Sequence, residues 1–156
     1  MSVLETETEV DAPPDLVWRV VADPRNLPRW DRHIVKVTGV PRDGLRRGST
    51  YVSEMMFMGA HATVRAEVQD IEPPRYSKVR LTGLMDATVE TWLEPDGSER
   101  TVLRHRIDYR FRGGPIGDIA ARAVRMLGAR RLLSRGVMAQ KRQAESSGRA
   151  SGSPSG

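Results

Sequence analysis

The segment 115–145 places the strongest constraint on the fold, because its apolar side chains recur three and four positions apart. Pro115 and Asp118 mark the start of a helix, since proline fits the first helical turn and acidic residues favour it. The repeated positions form one apolar stripe along the predicted helix: Ile116, Ile119, Ala120, Ala123, Met126, Leu127, Leu133 and Val137. Such a stripe requires a large apolar partner surface.

The chain before Gly113 supplies that partner as a series of short, alternating strands. Period-two patterns and turn residues predict strands at 2–10, 34–40, 50–58, 61–71, 76–82, 87–93 and 101–111. Two short helices are predicted after the first strand, starting at Pro13-Pro14 and at Asp23-Pro24. The predicted fold is therefore α+β: a curved antiparallel sheet of about seven strands around a long C-terminal helix, with a cavity between them.

The length of 156 residues suits one domain, which we place at 1–145. The Gly/Ser-rich remainder, 146–156, has nothing to bury and is predicted to be disordered. The chain has no cysteine, which excludes disulfides, thiolate metal sites and cysteine nucleophiles. It shows neither a signal-peptide pattern nor an apolar run long enough to span a bilayer, so we expect a cytoplasmic protein with no integral membrane segment.

The positive charge is concentrated in the predicted C-terminal helix. This segment holds seven basic residues against Asp118 and Glu145, and so accounts for the whole formal charge of +5. A basic helix of this kind can dock an acidic acyl carrier protein, an anionic membrane surface or a nucleic acid. An ordinary solvated face is the favoured interpretation, and no nucleic-acid partner is predicted because no aromatic residues are interleaved with the basic ones.

Alternation along the strands assigns the side chains that point into the predicted cavity. Small inward residues on the fourth strand, next to larger ones on its neighbours, leave room for a ligand. Trp30, which closes the second short helix, is expected at the cavity mouth, whereas Trp92 lies on the outer face and has no assigned role. The candidate ligand-binding residues are Tyr51, Ser53, Met55, Phe57, Val64, Val89, Thr91, Leu103, His105, Tyr109, Trp30, Ile119, Ala123 and Leu127.

His105 is the only histidine at an inward strand position, and is the one candidate for catalysis. An imidazole can serve as acid, base or polar anchor near neutral pH. A satisfied packing residue is the alternative, and the favoured one. His33, His61 and His105 lie on unrelated elements without ligand spacing, so no metal site is predicted. No cofactor is predicted either, because Gly113-Gly114 lacks the phosphate-binding signature.

The segment VDAPPDLVWRVVADPRNLPRW, the strand series after it, the hairpin WLEPDGSERTVLRHR and the long final helix resemble the START-like helix-grip (SRPBCC, Bet v1-like) superfamily, in particular its polyketide cyclase/dehydrase-type branch. The resemblance runs from about residue 3 to 145. It implies a helix-grip fold whose cavity takes apolar, often aromatic or polycyclic ligands. Members of the superfamily include aromatase/cyclases, lipid and quinone carriers, hormone receptors and enediyne-cluster proteins of biosynthesis or self-protection.

The resemblance also implies an Arg at the end of the fourth strand and a Tyr after the two short helices in aromatase/cyclases of this type. This chain has Asp70 and Ile34 near those positions. The favoured prediction is therefore binding of a hydrophobic, polycyclic or polyketide-like molecule, for natural-product biosynthesis, carriage or self-resistance. Two alternatives stay open: a polyketide cyclase, aromatase or dehydratase acting on a carrier-bound chain, with His105 in acid/base work, and a lipid or quinone carrier.

Overall fold

The computed structural model describes residues 2–57, 59–83, 85–111 and 137–147. The elements in chain order are β1 (Ser2–Val10), α1 (Pro14–Val21), a 3-10 turn (Pro24–Asn26), α2 (Leu27–Trp30), β2 (Ile34–Thr38), β3 (Thr50–Phe57), β4 (Ala60–Glu72), β5 (Tyr76–Gly83), β6 (Met85–Pro95) and β7 (Thr101–Phe111). A helix, α3, follows at 137–147. The predicted helical residues 115–136 and the predicted tail from 148 lie outside the described ranges.

The seven strands form one antiparallel sheet in the order β1-β7-β6-β5-β4-β3-β2. The N-terminal strand β1 pairs with the last strand β7 along its whole length, from Ser2 opposite Tyr109 to Val10 opposite Thr101. The remaining strands follow as consecutive hairpins. This arrangement confirms the predicted α+β class and the predicted number of strands.

Most strand ends lie within one residue of the predicted ends, and two strands differ for a visible reason. β2 stops at Thr38 rather than at residue 40, because Gly39 adopts a φ of 82° and turns the chain. β6 is longer than predicted, since Met85 and Pro95 at its two ends still pair with β7. Pairing with a long neighbour extends a strand beyond what its own alternation indicates.

The segment between β1 and β2 forms the two predicted short helices, α1 and α2, which together with the 3-10 turn between them are called the elbow. Pro14 occupies the first turn of α1, with Asp15 beside it, as the proline pair predicts. The carboxylate of Asp23 caps the 3-10 turn by accepting a hydrogen bond from the backbone N–H of Arg25 at 3.1 Å. The elbow therefore follows local sequence signals.

The largest core cluster joins the elbow, one end of the sheet and α3. Its buried members are Val10, Ala12, Val17, Val20, Leu93, Leu103 and Ala144. Trp18 and Trp30 pack against this cluster with other partly buried side chains of the elbow. The C-terminal helix is thus held at one end of the sheet by apolar burial, supplemented by a 3.1 Å hydrogen bond from the Asp11 backbone N–H to the Glu145 carboxylate.

The outer face of the sheet carries charges that pair across strands. Glu7 and Glu5 of β1 face Arg104 and Arg106 of β7 in register, with ion-pair distances of 3.1 and 3.7 Å. These side chains are about half exposed, so each pair contributes at most about 1 kcal/mol. All of these charged side chains point to the outer face of the sheet. The inner face of the same strands therefore carries uncharged residues.

We expect Leu103→Ala to lower the free energy of unfolding by about 2–5 kcal/mol, because Leu103 is fully buried in the main cluster and truncation leaves a void. Chemical denaturation followed by circular dichroism measures the change. Val35→Ala on β2, where the side chain is 49% exposed, is the control and is expected to change stability by less than about 0.5 kcal/mol. Equal effects of the two substitutions would contradict this assignment of the core.

Candidate functional site

A row of polar residues crosses the inner face of the sheet. Thr6 of β1, His105 of β7, Thr91 of β6 and Ser77 of β5 are direct cross-strand partners in that order. Neighbouring strands lie about 4.8 Å apart, so these four side chains line up across the sheet. Apolar residues occupy the rows on either side: Leu103 with Leu93, and Ile107 with Val89.

His105 lies at the centre of this row, and protein groups occupy both of its ring nitrogens. Nδ1 lies 2.9 Å from the hydroxyl oxygen of Thr91, and Nε2 lies 2.9 Å from the Oε1 atom of Gln140 on α3. All three residues are buried. A carbonyl oxygen can only accept, so Nε2–H donates to Gln140 and the neutral ring accepts from the Thr91 hydroxyl at Nδ1. His105 therefore connects β6, β7 and the C-terminal helix.

Burial lowers the pKa of His105 from its usual value of 6.5, and the hydrogen bond to Gln140 opposes this shift only in part. The ring is consequently neutral at physiological pH, in agreement with the hydrogen-bond pattern. A general acid or base needs a ring nitrogen that can reach the ligand. In this geometry the Thr91 or Gln140 bond must first break, which favours the packing interpretation of His105 over the catalytic one.

A second set of hydrogen bonds holds α3 against the elbow. The indole N–H of Trp30 donates to Oε1 of Gln143 at 2.9 Å, and Nε2 of Gln143 donates to Oδ1 of Asn26 at 3.2 Å. Asn26 in turn donates to the backbone carbonyl of Val20 at 3.0 Å. These bonds link both short helices to α3 and fix the position of Trp30.

Tyr51 and Ser53 form a separate polar group on β3. Both side chains are buried and lie on the inner face, beside a small apolar cluster in which Met55 and Val64 are buried and Ile34, Ala62 and Leu81 pack around them. Burial raises the pKa of Tyr51 to about 12, so its hydroxyl stays protonated. β3 lies four strands away from β7 in the sheet, so this group is separated from the strand of His105 by about 19 Å measured across the strands.

By register, the described strand residues predicted for the site lie on the inner face of the sheet, but the polar ones do not come together. The buried candidates are Tyr51, Ser53, Met55, Val64, Thr91, Leu103 and His105, and the half-buried ones are Trp30, Val89 and Tyr109. The sequence pattern treats Tyr51, Ser53 and His105 as one set of polar contacts. They belong to two groups, because alternation assigns a face and says nothing of the distance between strands. The side chain of Phe57 and the helix candidates Ile119, Ala123 and Leu127 lie outside the described ranges.

Three residues of the site are not among the candidates predicted from the sequence: Gln140, Gln143 and Thr6. The signal for Gln140 was its place between Val137 and Ala144, where three- and four-residue spacing puts it on the buried stripe of the helix. The Thr6 hydroxyl is buried beside His105 and has no hydrogen-bond partner among the described residues. Only the pairing of β1 with β7 identifies Thr6 as part of the polar row.

Nowhere in the described ranges do three or more His, Asp or Glu side chains come together in a group that could hold a metal ion. Within the same ranges, every helix is too short or too polar to cross a lipid bilayer.

An antiparallel sheet with a two-helix elbow after its first strand and a C-terminal helix packed on one face defines a helix-grip protein of the START/Bet v1 class. The sequence profile described as polyketide cyclase/dehydrase and lipid transport matches residues 1–140. The chain belongs to this family. A comparison with curated proteins gives no significant match.

Solved structures with the same fold cover nearly the whole chain. The Zhui aromatase/cyclase from Streptomyces sp. R1128 has a TM-score of 0.77 and 21% identity, over 98% of this chain and 99% of that one. A conserved protein from Geobacillus kaustophilus has a TM-score of 0.74 and 22% identity, over 94% and 97% of the two chains. A START superfamily protein from Mycobacterium smegmatis has a TM-score of 0.65 and 16% identity, over 90% and 97%. At these identities the likeness establishes the fold.

The lowered pKa of His105 predicts a loss of stability at acidic pH. Below about pH 6.5 the unfolded chain takes up a proton at this residue and the folded chain does not, so the free energy of unfolding falls as pH falls. The contribution reaches up to about 1.4 kcal/mol per pH unit for one proton.

We expect His105→Gln to flatten the pH dependence of the melting temperature between about pH 5 and 7. His61→Gln, which makes the same change at an exposed histidine of β4, is the matched control for the substitution. An unchanged slope in the His105 variant would show that this ring is protonated as readily in the folded as in the unfolded chain.

Proposed function

We propose that this protein binds a hydrophobic, polycyclic or polyketide-like small molecule between the inner face of the sheet and the C-terminal helix, and carries or sequesters it without chemical change. Natural-product biosynthesis, transport and self-resistance, including resistance to enediyne-type compounds, are the settings in which such a binder serves. Family membership supports a small hydrophobic ligand. The uncharged inner face supports the same class of ligand.

The observation that carries the choice of binding over catalysis is the state of His105. It is the single catalytic candidate from the sequence, and both of its ring nitrogens already bond to Thr91 and Gln140. Asp70 and Ile34 also stand where the resemblance to aromatase/cyclases implies an Arg and a Tyr. Asp70 is paired in register with Lys78, whose side chain lies on the outer face of the sheet. Asp70 therefore also lies on the outer face and cannot take the place of an arginine that points inward.

Room for a ligand is supported by the small residues of the inner face. Ala66 of β4 and Ala87 of β6 are both buried and flank Leu81 in one register row, and Tyr51 and Tyr109 stand at its two ends. Alanine side chains reach far less from the sheet than tyrosines do. Ala66 and Ala87 also lie outside the two apolar clusters of the described core. We place the body of the ligand over these alanines.

A polyketide cyclase or dehydratase is the second candidate function. Its support is the match in fold to the Zhui aromatase/cyclase over nearly the full length of both chains. In this function the basic C-terminal helix receives an acidic acyl carrier protein and His105 exchanges one protein hydrogen bond for the substrate. A lipid or quinone carrier is a further alternative, for which the family description includes lipid transport.

We expect Ala66→Leu to abolish binding of the neutral apolar dye Nile red, with a loss in stability of less than about 1 kcal/mol, because an open interior accommodates the larger side chain. Fluorescence titration and thermal melting measure the two effects. Thr63→Leu, on the outer face of the same strand, is the matched control and should leave dye binding unchanged. A strongly destabilised Ala66 variant, together with an unmodified protein that takes up no dye, would indicate a filled interior.

Native mass spectrometry of the protein purified from its own host then identifies the ligand by mass. Incubation of that ligand with the protein separates the two functions. A carrier returns the compound unchanged, whereas a cyclase or dehydratase returns a product of lower mass by one or more waters, or one with a new ring. Loss of the product in His105→Gln, with binding retained, would favour the enzyme.

A further inference from the structure

The hydroxyl groups of Tyr51 and Ser53 belong to buried residues of the inner face. The two residues are 8% and 6% exposed, and two positions apart on β3 they share the inner face. Neither hydroxyl makes a hydrogen bond to another side chain or backbone group within the described ranges. Among the other buried polar residues, Thr91 is paired with His105, His105 with Gln140, and Thr101 with the Ala12 carbonyl at 2.7 Å, whereas the enclosed hydroxyl of Thr6 is unpaired.

Neither hydroxyl oxygen is fully enclosed, since among the described residues the enclosed side-chain atom without a partner is Thr6 Oγ1. Both oxygens therefore reach open space at the inner face and have no hydrogen bond there. The residues across from Tyr51 and Ser53 on β4 are Ala66 and Val64, which offer neither a donor nor an acceptor in their side chains. Two such hydroxyls side by side point to a partner that the described residues do not supply.

The charge of the surroundings restricts what that partner can be. Every charged side chain on β3, β4 and β5 falls on the outer face by the strand register, including Asp70 and Lys78, which a register shift brings opposite each other. The inner face of the described strands holds alkyl, aromatic and hydroxyl groups and one neutral imidazole. A carboxylate or ammonium group of a ligand would lose its water here without meeting an opposite charge, at a cost of several kcal/mol.

We propose that Tyr51 and Ser53 form a hydrogen-bonding site for an uncharged oxygen, a ketone or phenol, carried by an apolar ring ligand. This site rests on the proposed binding function and specifies its ligand class. Tyr51 donates to the ligand oxygen and Ser53 donates or accepts as that oxygen requires. Ala66 and the Met55 side chain receive the ring beside it. The His105 group, four strands away, holds the helix and takes no part in this recognition.

The test uses 2-naphthol and 2-naphthoate, two ligands of similar shape. At about pH 7.5 the phenol is neutral and the acid is an anion. Isothermal titration calorimetry with the full chain should give a dissociation constant at least about tenfold lower for 2-naphthol, since transfer of the anion is penalised. Tyr51→Phe should weaken 2-naphthol binding by about fivefold or more, equivalent to one lost hydrogen bond.

Tyr76→Phe is the control for the Tyr51 variant, because it removes a tyrosine hydroxyl that bonds to Glu90 at 2.7 Å on the outer face. It should bind 2-naphthol as the unmodified protein does. Ser53→Ala, a smaller change, provides a second test if Tyr51→Phe lowers the melting temperature.

Equal binding of both probes, or unchanged 2-naphthol binding in both variants, overturns the polar site and leaves the proposed ligand-binding function standing. Tighter binding of 2-naphthoate also overturns it, because that result requires a cationic group at the site. Failure of the unmodified protein to bind either probe overturns the proposal together with the aromatic ligand class on which it rests.

Discussion

The hydrogen bonds of His105 are the interaction on which the rest of this structure depends. Thr91, His105 and Gln140 join the neighbouring strands β6 and β7 to the C-terminal helix through a buried, uncharged chain of donors and acceptors. In a low-dielectric interior such a chain holds its members in one arrangement, because each broken bond leaves an unpaired polar group. The Trp30–Gln143–Asn26 bonds extend the same attachment to the elbow. The position of the helix over the sheet, and therefore the shape of the space between them, follows from these contacts.

Two faces of one sheet perform separate tasks in this protein. The outer face of β1, β6 and β7 carries paired Glu and Arg side chains, which favour the observed strand register. The inner face carries uncharged residues. A structure built this way can select among hydrophobic molecules by their oxygen atoms without employing any formal charge, which suits a family associated with polyketide-like and lipid-like compounds.

The sequence was sufficient for the fold because its local signals agree with each other. Alternation in β1 and β7, the proline pair at α1 and the Asp23 cap each predict the observed element. The site was predictable only in part. The inward direction of Tyr51, Ser53, Thr91 and His105 follows from period two, but their grouping depends on the strand order. The role of Gln140 depends on the rotation of α3 about its axis, which only its packing against β7 decides.

The two edge strands of the sheet affect the tendency of the protein to aggregate at high concentration. Among the described strands, β1 and β2 stand at the two edges, where backbone N–H and C=O groups remain available to a neighbouring chain. β1 bears Glu5, Glu7 and Glu9, and charged side chains along an edge strand disfavour the addition of a further strand. β2 is five residues long, and its register shifts between Ile34 and Lys36, which shortens the regular ladder that a second strand could join. Both margins thus resist the stacking that leads to fibrils.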